Sequence, residues 1–510
     1  PFWPKCRALA TATRNGWMLQ GGEGMTGSAH CDAPSGKRFS QRLGLHVFLA
    51  SISGFLLGYN LCFMNSTLTA VQQSFELCYP CAGGTSDAAL AKCECPAKQF
   101  AVSSVDIGAM SGGVAFGVAA DALGRRWALL ISDLLFTLGA AAMCLAPPGR
   151  VGLFFAGRII SGVALGGAGS TAAAYIAEIA PPSVRGRLVQ VNELAVCTGC
   201  VAATVAAAAA GDEHWRYTAG ISGAFALFQM QGVAFILPES ERWLSAQSQP
   251  NSRHGVGIEA LEAGRVLAGL GKHLTELRRH WHPFLLAVGC ALAQNFINAN
   301  TALYYSRTVL QRAGVDSPLQ ANIGVGVVKF VGTATTLFFV DRVGRRALLI
   351  AGTSGVVLSY AGLVAAFAAD PEAPITWLAL AAMLTFIFSW NISWAGLMLL
   401  VAGELLPQPV RGVGLGIVFC TFWAVSFVEG QTFLTLFRLL SEAGTFGLFG
   451  CTSLLALLFA RFCLPETGGR SLEAIAEGAP GAGHKEPSSS GSGSDSDREA
   501  STSSDSGAAR

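Results

Sequence analysis

Apolar residues in this chain come in long runs, and polar ones are gathered between them. Twelve runs stand out, near 44–72, 102–121, 127–147, 151–180, 187–211, 217–237, 283–310, 320–340, 347–369, 375–406, 412–437 and 443–464. Each is close to the roughly 20 residues a helix needs to cross a bilayer. The connections are short and charged. "FFVDRVGRRALL" (338–349) carries four charges between one run with a single charge and another with none, and "AADALGRRWALL" (119–130) repeats the pattern. Both read as tight turns between membrane helices, with the glycine making the bend. The polar island 245–282 separates six runs from six. The predicted organisation is a short N-terminal segment (1–43), a six-helix half (44–244), a linker (245–282), a second half (283–476) and a tail (477–510). That tail is too poor in apolar residues to bury a core, so disorder is expected, with its Ser-Asp pairs either phosphorylated or simply solvated.

Composition agrees with the pattern. Hydrophobic residues make up 52% of the 510, charged ones only 13%, where soluble domains carry about 25%, and mean hydropathy is +0.47. The net charge of +2 and the confinement of basic residues to short loops give no reason to expect a nucleic-acid partner. Arg125/Arg126, Arg185/Arg187, the island, Arg342/Arg345/Arg346 and Arg411 all fall on one side of an alternating topology. Basic loops face the cytosol, so both termini are expected inside. No signal-peptide core precedes the first run, and Met18 and Met25 are the candidate starts.

The halves repeat. Asp121 and Asp341 open "DALGRR" and "DRVGRR"; Glu178 and Glu404 each stand seven before an Arg-Gly pair at Arg185 and Arg411; "PESERW" at Pro238 matches "PETGGR" at Pro465. Three landmarks in one order at nearly one spacing indicate a duplication. Asp121, Arg125, Arg126, Glu178 and Arg185, with Asp341, Arg345, Arg346, Glu404 and Arg411, are expected to form cytosolic latches. In these the aspartate pairs with an arginine or caps a neighbouring helix; topological anchoring alone is the alternative.

Candidate chemistry lies inside the spans. "QNFINAN" (294–300) places Gln294, Asn295, Asn298 and Asn300 within seven residues, which is costly in a membrane unless they line a polar path or bond helix to helix. Amides satisfy hydroxylated ligands and aromatic rings cover their apolar faces. Asp106, Glu193, Lys329 and Glu429 are charges within predicted spans and so functional suspects, with a Glu193–Lys329 ion pair as the neutralising alternative. Cys78, Cys81, Cys93 and Cys95 crowd the first exofacial loop. Two bridges with three pairings stay open, and a zinc site fits their spacing poorly. The other cysteines read as packing. Asn65-Ser66-Thr67 is a glycosylation sequon close to the first span. No catalytic constellation, metal site or cofactor motif appears, so no enzymatic activity is expected.

Taken together, these motifs resemble the sugar porter family of the major facilitators, the family of animal glucose transporters, from about Leu45 to Ile475. The resemblance rests on "GFLLGYN", "GRIISGVALGG", "YIAEIAPPSVRGRL", "PESERWL", "YYS" at Tyr304 and "PETGGRSLEAI", while "LVQVNEL" and "GVGVVKF" look like a divergent animal branch. It implies an all-α fold of twelve transmembrane helices in two halves, a hexose or polyol substrate, a monomer and a plasma-membrane location. Gln294, Asn295, Asn300, Glu193 and Asn391 would bind substrate, Tyr304 and Tyr305 would gate, and Trp423 would cover the sugar. Departures are Glu193 for a glutamine, Leu399 for a tryptophan five before Glu404, "NISWAG" for a Pro/Gly-rich kink, and Asn391 where many animal members carry an acid. Proton-driven members pair an aspartate in the first span with an arginine in the fourth; here Arg158 faces Asn60, which cannot titrate. That implies facilitated diffusion, with proton coupling through Glu193 or Asp106, or a sugar-sensing homologue, as alternatives.

Overall fold

The structure is a computed structural model and describes residues 36–78, 95–181, 184–247, 276–368, 374–407 and 410–467, without side chains at 36–40, 246, 247, 341 and 412. Cys81, Cys93, the side chain of Asp341, most of the linker and the whole tail therefore lie outside it. By internal contacts the chain divides into Pro1–His46 and Val47–Arg510. Everything below concerns the second unit.

Every described segment of regular structure is helical. Besides a short helix at Glu241–Gln247 and a 3-10 turn at Asp212–His214, the helices are α1 (Gly36–Ser74), α2 (Pro96–Leu123), α3 (Arg125–Leu145), α4 (Val151–Ile179), α5 (Arg185–Ala210), α6 (Trp215–Phe235), α7 (Trp281–Phe296), α8 (Ala299–Tyr304), α9 (Ser306–Arg312), α10 (Pro318–Val343), α11 (Arg345–Ala368), α12 (Thr376–Asn391), α13 (Trp394–Leu405) and α14 (Arg411–Phe462). All twelve apolar runs lie on them. The seventh is broken into α7–α9, the tenth into α12 and α13. The last two share α14, which is interrupted at Ser441 (φ 63°, ψ 170°). Among the described residues nine helices are long and apolar enough to cross a membrane. Large apolar side chains such as Phe235, Leu145, Trp377 and Phe462 stand exposed on the outside of the bundle, the arrangement hydrocarbon favours and water does not.

Two seams explain the tight packing. On α2 and α4, Gly108, Gly112, Gly162 and Gly166 meet backbone carbonyls so closely that an added Cβ would sit about 2 Å from an oxygen, for example 2.1 Å from Val163 O at Gly112. Gly58 of α1 and Gly199 of α5 do the same against Val196 and Phe55. With lipid outside there is no hydrophobic drive between helices, so close backbone approach supplies the contact.

The duplicated turns have one construction, and it differs from expectation in one respect. Gly124 (φ 100°) and Gly344 (φ 93°) make the bends, where only glycine is unstrained. The capping carboxylate is not the aspartate. Glu239 accepts the backbone N–H of Arg125 at 2.9 Å and of Arg126 at 3.2 Å, and Glu466 accepts those of Arg345 and Arg346 at 3.0 and 3.1 Å. These are the glutamates of "PESERW" and "PETGGR". Each neutralises the positive end of a helix whose first N–H groups have no intrahelical partner, and that is why the two motifs repeat together. Asp121 instead takes the pairing role, 2.7 Å from Arg125.

Candidate functional site

The amide cluster is shaped by a backbone defect. Asn298 adopts a left-handed conformation (φ 51°, ψ 37°), which asparagine tolerates better than most residues, and it ends α7 one turn after Gln294. The four amides then differ in role. Asn295 Nδ2 is committed to carbonyls of Ala291 and Phe422, both at 3.1 Å, and Asn298 Nδ2 donates to Phe296 O at 3.2 Å. Asn300 Nδ2 donates to Ser426 Oγ at 3.1 Å. Gln294, only 5% exposed, has a buried Oε1 with no partner. Of the expected binding amides, Asn295 is therefore occupied by structure and Gln294 is the one left with unused capacity.

Other buried polar atoms share that condition: Gln190 Oε1 on α5, Trp390 Nε1 on α12 and Trp423 Nε1 on α14. Of the helices that bear them, α7 packs on α14, and α5 and α12 each pack on α10. Such groups cost about 1–3 kcal/mol each when left unsatisfied. Trp423 stands edge-on to Phe419 and Phe422, with centroids 5.8 and 4.9 Å away. Trp390 and Gln190 were not singled out from the sequence. Leu399 does take the expected tryptophan's place, but Trp390 brings an indole to the same broken span. Gln190 shares one face of α5 with Glu193 and Cys197, at i, i+3 and i+7, and that spacing was the available signal.

Below α5 a second group forms. Lys329 Nζ lies 3.3 Å from Cys200 Sγ and 5.3 Å from the centroid of Trp390. Thr333 joins Cys197 and Asn391: its hydroxyl is 3.1 Å from Cys197 Sγ and donates to Asn391 Oδ1 at 3.2 Å. The Glu193–Lys329 ion pair does not form within 4 Å; the lysine is held by sulfur and indole instead, and Glu193 stays half-buried beside it. Cys200 is also bridged to Cys62 of α1, with Cα atoms 5.0 Å apart, so these two cysteines are more than packing. In the loop, Cys78 is joined to Cys95.

Arg158 is fully buried. It donates to the backbone carbonyls of Asn60 (3.1 Å) and Val102 (2.9 Å). The Asn60 amide is turned away, donating to Leu56 O in its own helix at 2.9 Å. The carboxylate that acts on Arg158 is Asp106 of α2, and it is also bonded to Tyr304 and Ser426. Tyr304 OH donates to Asp106 Oδ1 at 2.8 Å and Ser426 Oγ to Oδ2 at 3.3 Å. Tyr305 OH donates to Gly430 O at 3.1 Å, and its ring stacks on Phe433 at 4.9 Å.

A further set of bonds between the two halves of the sequence lies at the end of the bundle away from the arginine turns. Asn65 Nδ2 donates to Ser306 Oγ (2.7 Å) and its Oδ1 accepts Arg307 N (3.0 Å), while Arg307 donates to Ser66 O (2.5 Å) and meets Asp212 through both nitrogens (3.3 Å). Asn65, 3% exposed, is thus held within this network and is not an accessible sequon. At the opposite end the arginines work within each half. Arg125 holds Glu178 at 3.0 Å, Arg126 donates to Val233 and Ala234 carbonyls, Arg345 lies 3.6 Å from Glu404, Arg346 donates to Ala460 O, and Arg411 to Leu406 O. Arg185 Nε is buried without a partner. Arg125→Ala leaves Glu178, 17% exposed, without its cation. We expect the purified protein to lose about 1–3 kcal/mol of stability, read as a lower unfolding temperature in detergent.

Comparison with known proteins agrees with this geometry. Residues 46–479 match the model of the sugar (and other) transporter family, and the chain belongs to that family; it is an integral, multi-pass membrane protein of the major facilitator fold. It is 31% identical over 389 residues to the glucose transporter GlcP of Staphylococcus epidermidis, covering 73% of this chain and 86% of that one. The myo-inositol transporter 1A of Cryptococcus neoformans is 28% identical over 481 residues, covering 85% and 80%. Among solved structures, the proton:xylose symporter XylE from E. coli, bound to 6-bromo-6-deoxy-D-glucose, superposes with a TM-score of 0.68 at 26% identity, covering 86% of this chain and 99% of that one.

Proposed function

We propose that this protein carries a monosaccharide or polyol across the membrane by alternating access of two six-helix halves, 44–244 and 283–476. Gln294, Asn300, Trp423, Gln190 and Trp390 line its path, with Glu193 and Asn391 beside them. The observation that carries this reading is the set of buried, unpartnered amide and indole groups on α5, α7, α12 and α14. Apolar cargo would leave those atoms unsatisfied, and a ligand bearing several hydroxyls supplies donors and acceptors to each. Tyr304 and Tyr305 close the path on the side of Arg307. The arginine turns then face the cytosol, consistent with the distribution of basic residues, and the Arg307 latch faces out. The names of the relatives support the substrate class: glucose, myo-inositol and xylose are all polyhydroxylated.

Purified protein in liposomes preloaded with unlabelled D-glucose, myo-inositol or D-xylose tests this. Radiolabelled sugar should exchange inward with saturable kinetics for at least one of the three. Failure with all three, in vesicles shown to hold folded protein, would sink the substrate class.

A further inference from the structure

We propose that Asp106 carries a proton in sugar–proton symport by this protein, from a position on α2 wired to both the gate and the sugar path. The inference rests on the transport reading above. Asp106 is 0% exposed, and so is Arg158. A buried guanidinium needs a counter-charge, because desolvating it alone costs several kcal/mol. The first helix does not supply one, since the Asn60 side chain is spent on Leu56 O. The glycine seam between α2 and α4 brings their backbones together, and Asp106 sits two residues before its first glycine, Gly108. The anion that Asn60 does not provide thus comes from the neighbouring helix.

What distinguishes Asp106 from a static counter-ion is where its hydrogen bonds come from. Both carboxylate oxygens accept from hydroxyls of the other half of the sequence, Tyr304 of α8 and Ser426 of α14, and Ser426 itself accepts from Asn300. One carboxylate therefore accepts from Tyr304 and Ser426, reaches Asn300 through the Ser426 hydroxyl, and acts through space on Arg158, whose guanidinium itself bonds the Asn60 and Val102 carbonyls. The charged or titratable groups that face it are Arg158 from α4, Tyr304 from α8 and Glu429 from α14. When the halves part on this side, α2 keeps Arg158 but is drawn away from both hydroxyls. A carboxylate whose hydrogen bonds differ between two conformations binds a proton with different affinity in each, and by reciprocity the proton biases the conformations. A sugar hydroxyl that engages Asn300 acts on the same chain through Ser426. In a cycle, one proton from water outside joins the carboxylate to give the neutral acid, and it is returned to water inside after the halves rearrange. That is one proton per sugar, with no electron transfer.

The test uses the full chain in liposomes loaded with a pH-sensitive dye, with membrane potential clamped and D-glucose, myo-inositol or D-xylose, whichever exchanges, as the probe. Adding the sugar outside should acidify the lumen, and a one-unit inward proton gradient should concentrate it up to about tenfold. Asp106→Asn keeps the size and acceptor oxygen of the side chain but cannot release a proton, so both signals should vanish; Asp106→Glu should restore acidification. Sugar exchange by the parent without acidification overturns this proposal and leaves the transport reading standing, whereas absence of all exchange sinks both. Acidification that persists in Asp106→Asn also overturns it. If Asp106→Asn loses exchange altogether, Asp106→Glu decides: sugar flux restored with proton entry supports the assignment, and flux restored without it refutes it.

Discussion

Sugar exchange falls about 10- to 100-fold in Gln294→Ala while the protein still folds and reaches the membrane. Gln294 Oε1 is unused, so its removal withdraws no hydrogen bond from the fold. It does withdraw up to two hydrogen bonds from a ligand, each contributing about 0.5–1.5 kcal/mol net, and every 1.4 kcal/mol is tenfold in affinity. Asn295→Ala should behave oppositely. Its amide holds the carbonyls of Ala291 and Phe422, so the loss should appear as a lower unfolding temperature, with half-saturation nearly unchanged. Asn300→Ala combines both, because Ser426 loses a donor and Asp106 feels it through the shared hydroxyl. Equilibrium binding of labelled sugar alongside thermal unfolding separates the three variants. Equal affinity in Gln294→Ala and the parent would remove Gln294 from the site.

The contrast between Gln294 and Asn295 marks how far the sequence can be read. Long apolar runs, glycine-bearing arginine turns and repeated landmarks announce the fold, because membrane length and backbone satisfaction leave few alternatives. That "QNFINAN" is polar inside a span is equally plain. Which of its amides is free depends on Asn298 turning left-handed, a backbone choice no periodicity reveals. The capping glutamates show the same limit from the other side: "PESERW" and "PETGGR" were visible as repeats, yet their link to Gly124 and Gly344 exists only once the helices fold back. Asp106 was legible as a charge in a span, but its partners lie on α4, α8 and α14, more than 50 residues away in sequence. Trp390 is not legible as a site residue because the family's indole belongs at Leu399, on α13, across the break from α12. A broken helix relocates side chains, and the "NISWAG" break moves the aromatic surface with it.

Arg307→Ala opens the far end. In the closed arrangement Arg307 is 7% exposed at its side chain, holds Asp212 with both terminal nitrogens, donates to Ser66 O, and receives Asn65 at its backbone N–H. This single residue of α9 thereby ties α1 and the turn after α5 to the second half. Every one of these bonds must break for the gate to open, and none has a counterpart across the halves among the arginine turns, whose described bonds stay within each half. Removing one partner of a buried, hydrogen-bonded charge pair costs about 2–5 kcal/mol; with the Asp212 side chain 34% exposed the lower end applies, and it falls on the closed state alone. A shift of even 2–3 kcal/mol moves a two-state balance by roughly 30- to 150-fold. Thr308, 5% exposed on the same helix, reports it. In Thr308→Cys, a membrane-impermeant maleimide should react slowly; adding Arg307→Ala should speed labelling at least tenfold and slow sugar exchange, because return to the closed state becomes the uphill step. Asp212→Asn, which keeps a hydrogen-bonding side chain but loses the charge, should fall between the two. If labelling is unchanged in Arg307→Ala, the network only packs α9 against α1, and the gate must lie with Tyr304 and Tyr305 alone.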